Sequence, residues 1–220
     1  MLDYLNDIDT DALLAVNGWH DLFQDALWWM VSAKWSSVLF ALALVWCLLH
    51  QNRRHALLAS AMLMLTFVFA DQLSSGLIKH LVDRLRPTHE PALESMVRVL
   101  NGYRGGMYGF VSSHAANSVA AATLIALMMR HRAVTVSLFA WASMQCYSRV
   151  YLGVHYPGDI LGGIVIGLLV GWLMWSLMRW IQRRWRLPKG LYSRSDAVAV
   201  VSAFMLTLVG LVIASLVQVL

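Results

Sequence analysis

Apolar residues fall in long blocks along this chain, and polar residues collect in the short stretches between them. Blocks of about 20 apolar residues match the hydrocarbon core of a bilayer. They predict six spans, at roughly 35–50, 56–79, 111–130, 133–152, 159–181 and 197–220. Ahead of the short first block, residues 19–32 change period. Trp19, Leu22, Phe23, Ala26, Leu27 and Met30 share one helical face, opposite Asp21, Gln24 and Asp25. This reads as a helix lying in the membrane interface, anchored by Trp28 and Trp29; the other reading is one long tilted span over 22–49. In the fifth block Gly163, Gly167 and Gly171 recur every fourth residue, which predicts close helix–helix contact. The fold expected is all-α. It is a polytopic membrane protein of six transmembrane helices with an N-terminal interfacial helix, forming a single domain over 1–220.

Composition agrees. Hydrophobic residues make up 59% of the chain and charged ones 13%, against about 25% charged in soluble domains. The net charge of +5 is carried by connections: Arg53 and Arg54, then Arg130 and Arg132, then Arg179, Arg183, Arg184, Arg186, Lys189 and Arg194. Basic loops stay on the cytoplasmic side, so the acidic N-terminus, the 80–110 loop and the turn near 153–158 face outward. The opening MLDYLNDIDTD lacks the basic region of a signal peptide, and insertion is expected to rely on the first span. No nucleic-acid motif is present, so no nucleic-acid partner is expected. Cys47 and Cys146 sit in apolar blocks without ligand spacing, which argues against a disulfide or a zinc site.

Ionisable residues are scarce, so their positions carry information. Lys79 ends the second span, followed by Arg84 and Arg86. Ser112, Ser113 and His114 open the third, Arg149 lies near the end of the fourth, His155 is in the turn, and Asp159 opens the fifth. Under the loop-charge topology all of them fall at one membrane face. Any one alone has a bland reading, such as a snorkelling cation or a structural histidine. Gathered together, intramembrane ionisable groups point to function. Three cations, Lys79, Arg86 and Arg149, suit a multiply charged oxyanion, and a helix start adds free N–H groups for phosphate. Two histidines supply a nucleophile and a proton donor, and a carboxylate orients one of them. The sum is phosphoryl transfer by positioning and electrostatics, with no metal and no cofactor.

These segments resemble the type 2 phosphatidic acid phosphatase (PAP2) family. KHLVDRLRP, Lys79 to Pro87, is similar to its K-x6-R-P motif, and SRVYLGVHYPGD, Ser148 to Asp159, to its S-R-x5-H-x3-D motif. VSSH, Val111 to His114, stands where the family has P-S-G-H, with Val111 for Pro and Ser113 for Gly. The resemblance covers roughly 35–181, with the motifs between 79 and 159; the connection and span over 182–220 lie outside them. It implies catalytic roles for His155 as nucleophile, Asp159 as its orienting carboxylate and His114 as acid to the leaving oxygen. Lys79, Arg86, Ser112, Arg149 and the backbone of Ser113 would bind phosphate, with Ser148 in a supporting place. It further implies a lipid phosphatase of the bacterial inner membrane, its site facing the periplasm, with a membrane lipid phosphate and the bilayer itself as partners.

Among substrates, short outer loops leave little protein to recognise a sugar headgroup, which favours undecaprenyl diphosphate over lipid A or phosphatidylglycerol phosphate. Transfer to a lipid acceptor is the variant reaction. A non-catalytic lipid-phosphate carrier is the rival class, but it needs neither two histidines nor Asp159. Three features stay open: NGYRGGMYGF, 101–110, as a lip over the site or a plain turn; Asp71 and Gln72 as polar contacts between helices or part of a route; Arg84 and Arg104 as second-phosphate contacts or solvated charges.

Overall fold

The computed structural model describes residues 2–220, with side chains from Tyr4 onward; Met1 and the side chains of Leu2 and Asp3, part of the acidic opening stretch, lie outside the described residues. Among the described residues nine α-helices follow in order: α1 (Leu2–Gly18), α2 (Leu22–Ser32), α3 (Val38–Leu49), α4 (Arg53–Asp71), α5 (Lys79–Val82), α6 (Ser113–Met129), α7 (Arg132–Tyr151), α8 (Pro157–Arg184) and α9 (Arg194–Val219). A π-helical stretch, Gln72–Ile78, joins α4 to α5 without a break. Among the described residues there is no strand, only one isolated bridge between Leu85 and Tyr108.

Helix ends follow local chemistry. Asp21, Asn52, Ser112 and Ser193 cap α2, α4, α6 and α9 with side-chain oxygens, satisfying first-turn N–H groups. Pro157 occupies the first position of α8, where its missing N–H costs nothing.

Among the described residues three helices are long and apolar enough to cross a membrane: Arg53–Val82, α8 and α9. The pair Leu22–Ser32 and Lys34–Leu49, bent by 67°, makes a fourth if counted as one. α6 is apolar but shorter. It sits between α4, α7 and α8, and its alanines, Ala115, Ala116, Ala120 and Ala122, are buried. Outward faces remain apolar: Leu57, Met64 and Val68 on α4, and Leu161, Val165 and Trp172 on α8, are exposed. Such surface is compatible with lipid and not with water.

The glycine stripe works as expected. A Cβ on Gly163 would lie 2.5 Å from the carbonyl oxygen of Ser112, the cap of α6, and one on Gly167 or Gly171 would lie 2.7 or 2.6 Å from a backbone oxygen of α6 itself, so only glycine permits this approach.

The N-terminal region differs from the sequence reading. Residues 2–18 form a helix, and Asn17 is buried, bonded to the Arg98 and Tyr151 carbonyls. α2 is packed on α7 and α9. Trp28 packs at a tilt against Tyr147, ring centroids 4.5 Å apart, and Trp29 meets Tyr103 edge to face at 5.8 Å, so both face protein. Asp25, read as part of a polar outer face, pairs with Arg98 and accepts from the Tyr151 hydroxyl at 2.6 Å. Asp71 and Gln72 are exposed rather than held between helices, and Asp71 accepts only from Ser75 at 3.4 Å.

Candidate active site

The turn between α7 and α8 is built by two residues. Gly153 takes φ +70°, the left-handed conformation that closes a helix, and Pro157 starts the next. Between them His155 is fully buried. Its Nδ1 meets Asp159 Oδ2 at 3.2 Å, one helical turn further on. The same carboxylate accepts from the Tyr156 N–H at 3.1 Å and, on its other oxygen, from Arg84 Nη1 at 3.2 Å. The bond to Asp159 places the proton on Nδ1 and leaves Nε2 as the basic nitrogen. That Nε2 is buried without a hydrogen-bond partner among the described residues. Burial, followed by the charges of Arg86, Arg149 and Lys79, holds the His155 pKa well below its ordinary value. The ring is therefore neutral at pH 7.

Cations surround this pair. Arg86 is buried, donating from Nε to the Tyr108 carbonyl and from Nη1 to the Val154 carbonyl, both at 3.1 Å. Arg149, 1% exposed, donates to the Ser32 hydroxyl and to the Tyr103 hydroxyl at 2.8 Å, while its Nε has no partner among the described residues. Lys79, Arg86, Arg149, His114 and His155 lie close enough to act on one another electrostatically. His114 stands in the first turn of α6 with an exposed side chain. Ser112 caps that turn, accepting from the Ala115 N–H at 3.4 Å, and its own N–H donates to the Asp159 carbonyl at 3.0 Å. This bond stitches the starts of α6 and α8 together.

The structure thus gathers His155, Asp159, His114, Lys79, Arg86 and Arg149, with Ser112 at the joint. Ser113 is half-buried in the first turn of α6, where N–H groups lack intrahelical partners. Ser148 points elsewhere, donating to the Gln145 carbonyl at 2.7 Å.

Arg84 changes standing. It bridges Asp159 to Asp9 of α1, at 2.8 Å from Asp9, and lies 3.9 Å over the Tyr156 ring. Asp9 also accepts from the Gly158 N–H at 2.6 Å. Arg84 is thereby a support of the buried carboxylate. Arg104 remains an exposed loop charge. The 101–110 segment is neither a free lip nor a plain turn. It pairs with 84–88 through Arg86 N–H to Met107 O at 2.9 Å, Gly109 N–H to Arg84 O at 2.8 Å, and Thr88 Oγ1 to Arg104 O at 2.7 Å. Gly105 has φ +69°, and a Cβ there would lie 2.8 Å from Arg86 Nη1. Asp9, Ser32 and Tyr103 escaped sequence reading because nothing local marks a partner so distant along the chain.

A neutral, oriented histidine beside several cations, at one end of an apolar helical bundle, is an arrangement chemically able to hold an anionic phosphate. The PAP2 superfamily profile matches residues 56–186, more than half the chain, and the chain belongs to that superfamily. It is an integral membrane lipid phosphatase of the PAP2 type. It is 36% identical over 225 residues to the lipid A 4'-phosphatase of Bacteroides thetaiotaomicron, covering 99% of this chain and 100% of the relative. It is 31% identical over 185 residues to that of Porphyromonas gingivalis, covering 84% and 78%. Its fold is similar to the PAP2-type phosphatidylglycerolphosphate phosphatase of Bacillus subtilis, with TM-score 0.64, 22% identity, and 82% and 89% of the two chains covered.

Proposed function

We propose that the enzyme hydrolyses a phosphate monoester of a lipid A-type glycolipid through a phosphohistidine on His155. The observation that carries the mechanism is the buried, unpartnered Nε2 of a ring held by Asp159. Nε2 attacks phosphorus, the bond from phosphorus to the lipid oxygen breaks, and His114 gives that oxygen a proton. Water then attacks the phosphorus, breaks the N–P bond and releases inorganic phosphate. Lys79, Arg86, Arg149, Ser112 and the first-turn N–H groups at Ser113 hold the phosphoryl oxygens, whose charge peaks in the transition state. Asp159, steadied by Arg84, stabilises the charged imidazole ring of the intermediate. No step calls for a metal, since the charge to be met is negative and the surrounding side chains are cations.

The support for the substrate is the similarity to two lipid A 4'-phosphatases, which in the Bacteroides relative covers 99% of this chain and 100% of that protein. The sequence favours undecaprenyl diphosphate only on the premise that little protein lies outside the spans. Helix α1 and the folded 83–112 connection supply such protein, so that premise no longer weighs against a sugar headgroup.

The topology that fits is six crossings: the bent segment ending in α3, the α4–α5 rod, α6, α7, α8 and α9. α7 carries Gln145 and Arg149, both buried. Enclosure by α1, α2, α6 and α9 lets such a helix sit at membrane depth. With basic connections inside, the site faces the periplasm of the inner membrane.

Purified enzyme offered lipid A 4'-phosphate, undecaprenyl diphosphate and phosphatidylglycerol phosphate, with released phosphate measured in EDTA, tests the reading. Turnover should be fastest with lipid A phosphate and survive chelation. Preference for undecaprenyl diphosphate would overturn the substrate, and loss in EDTA with recovery on magnesium would overturn the mechanism.

A further inference from the structure

The catalytic cluster occupies one end of α4, α6 and α8. The opposite ends of the same helices enclose a cavity of about 590 Å³, within the usual range for ligand pockets. From Asp159 to Arg183 along α8 is about 36 Å at 1.5 Å per residue, so this cavity is separate from the phosphatase site. Arg130, Arg179, Arg183 and Lys189 line it, with no carboxylate among the lining residues. Among the described residues none of the four forms a salt bridge. A cytoplasmic position accounts for the number of cations in these connections. It does not by itself gather four of them around one hollow that has no carboxylate in its lining.

Arg130 is the C-cap of α6, at φ +52°, and brings one cation to the cavity from the end of that helix. Gln182, 3% exposed, lines the same cavity. Its Nε2 donates to His55 Nδ1 at 3.2 Å and to the Pro188 carbonyl at 3.3 Å, which ties α4, α8 and the connection after α8 together beside the cavity. The remaining wall, Leu127, Met128, Trp175 and Met178, is apolar, and beyond it α8 presents exposed Trp172 and Trp180 to the surroundings.

We propose that this cavity is a binding site for a phosphate-bearing anion. The phosphate lies among Arg130, Arg179, Arg183 and Lys189, and the apolar wall takes the upper acyl chain of a phospholipid from the leaflet opposite the catalytic end. Free phosphate shares the headgroup chemistry but has no use for that wall.

The test uses the full-length protein in neutral detergent, with melting temperature followed during titration with phosphatidylglycerol, phosphatidylcholine or inorganic phosphate. Wild type is compared with Arg179→Gln/Arg183→Gln, which leaves the phosphatase cluster untouched and so should keep basal turnover. Hydrogen bonds to a charged group are worth about tenfold each in affinity. The upward shift with phosphatidylglycerol should therefore need at least tenfold more lipid in the variant. A shift with phosphatidylglycerol alone identifies a lipid headgroup, and an equal shift with inorganic phosphate identifies the free ion; either supports the site. Equal shifts in wild type and variant, or equal shifts with phosphatidylcholine, would overturn it. Should the double variant fail to fold, Lys189→Gln on the exposed connection asks the same question. The outcome is independent of substrate turnover, so failure here leaves the phosphatase reading standing.

Discussion

Gly109 and Gly106 lie three residues apart in one loop, yet alanine should behave oppositely at the two. A Cβ on Gly109 would stand 2.6 Å from Asp159 Oδ2, whereas one on Gly106 meets nothing within 4 Å; neither glycine has a left-handed φ. Backbone strain is therefore absent from both substitutions. In Gly109→Ala the carboxylate must retreat from 2.6 to 3.4 Å, about 0.8 Å. Asp159 is fully buried, tied to His155, Tyr156 and Arg84, so it cannot move without turning the imidazole. A misplacement of about 1 Å costs about 10²-fold in rate, or roughly 2.7 kcal/mol in the barrier. We expect Gly109→Ala to lose about 10²-fold in kcat/KM, mostly in kcat, with Tm lowered only modestly. Gly106→Ala should match wild type in both. Phosphate release from a lipid phosphate and thermal unfolding in detergent measure the two quantities. Wild-type turnover in a folded Gly109→Ala protein would show that the position of Asp159 does not limit the reaction.

Other expectations follow from the same geometry. His155→Ala should abolish turnover of every substrate. His114→Ala should cripple alkyl lipid phosphates by about 10²–10⁴-fold but spare an aryl phosphate with an acidic phenol; equal loss on both would remove His114 as the acid. Since burial keeps His155 neutral, the unfolded chain takes up a proton that the folded protein refuses once pH drops below the ordinary value of 6.5. His155 should therefore lower stability progressively below that pH and contribute no pH dependence above it. Melting curves of wild type and His155→Gln from pH 5 to 8 should diverge only on the acid side. Gly171→Ala, whose Cβ would press 2.6 Å from the Ala120 carbonyl oxygen, should destabilise by about 1–3 kcal/mol with kcat unchanged. A lowered kcat at unchanged Tm would contradict a purely structural role for that glycine.

Much of this molecule was legible in one dimension, because the information there is local. Apolar blocks and basic connections mark helices and their ends, since lipid accepts only backbone that bonds within itself. His155 and Asp159 are one helical turn apart with Pro157 between them, so sequence spacing alone brings ring and carboxylate together. The glycines at 163, 167 and 171 announced a close helix contact by their period. What only tertiary structure decided are pairings between distant segments. Asp9 reaches Gly158 across 149 positions, Arg84 reaches Asp159 across 75, and Arg149 reaches Ser32 across 117. No periodicity encodes such partners; they arise when packing removes water and each buried charge must find whatever group is near. For the same reason Asp25 read as an outward polar residue and proved to be the counter-ion of Arg98. The hollow ringed by Arg130, Arg179, Arg183 and Lys189 was invisible in a row of loop cations, because three helices had to end together before those charges shared one space.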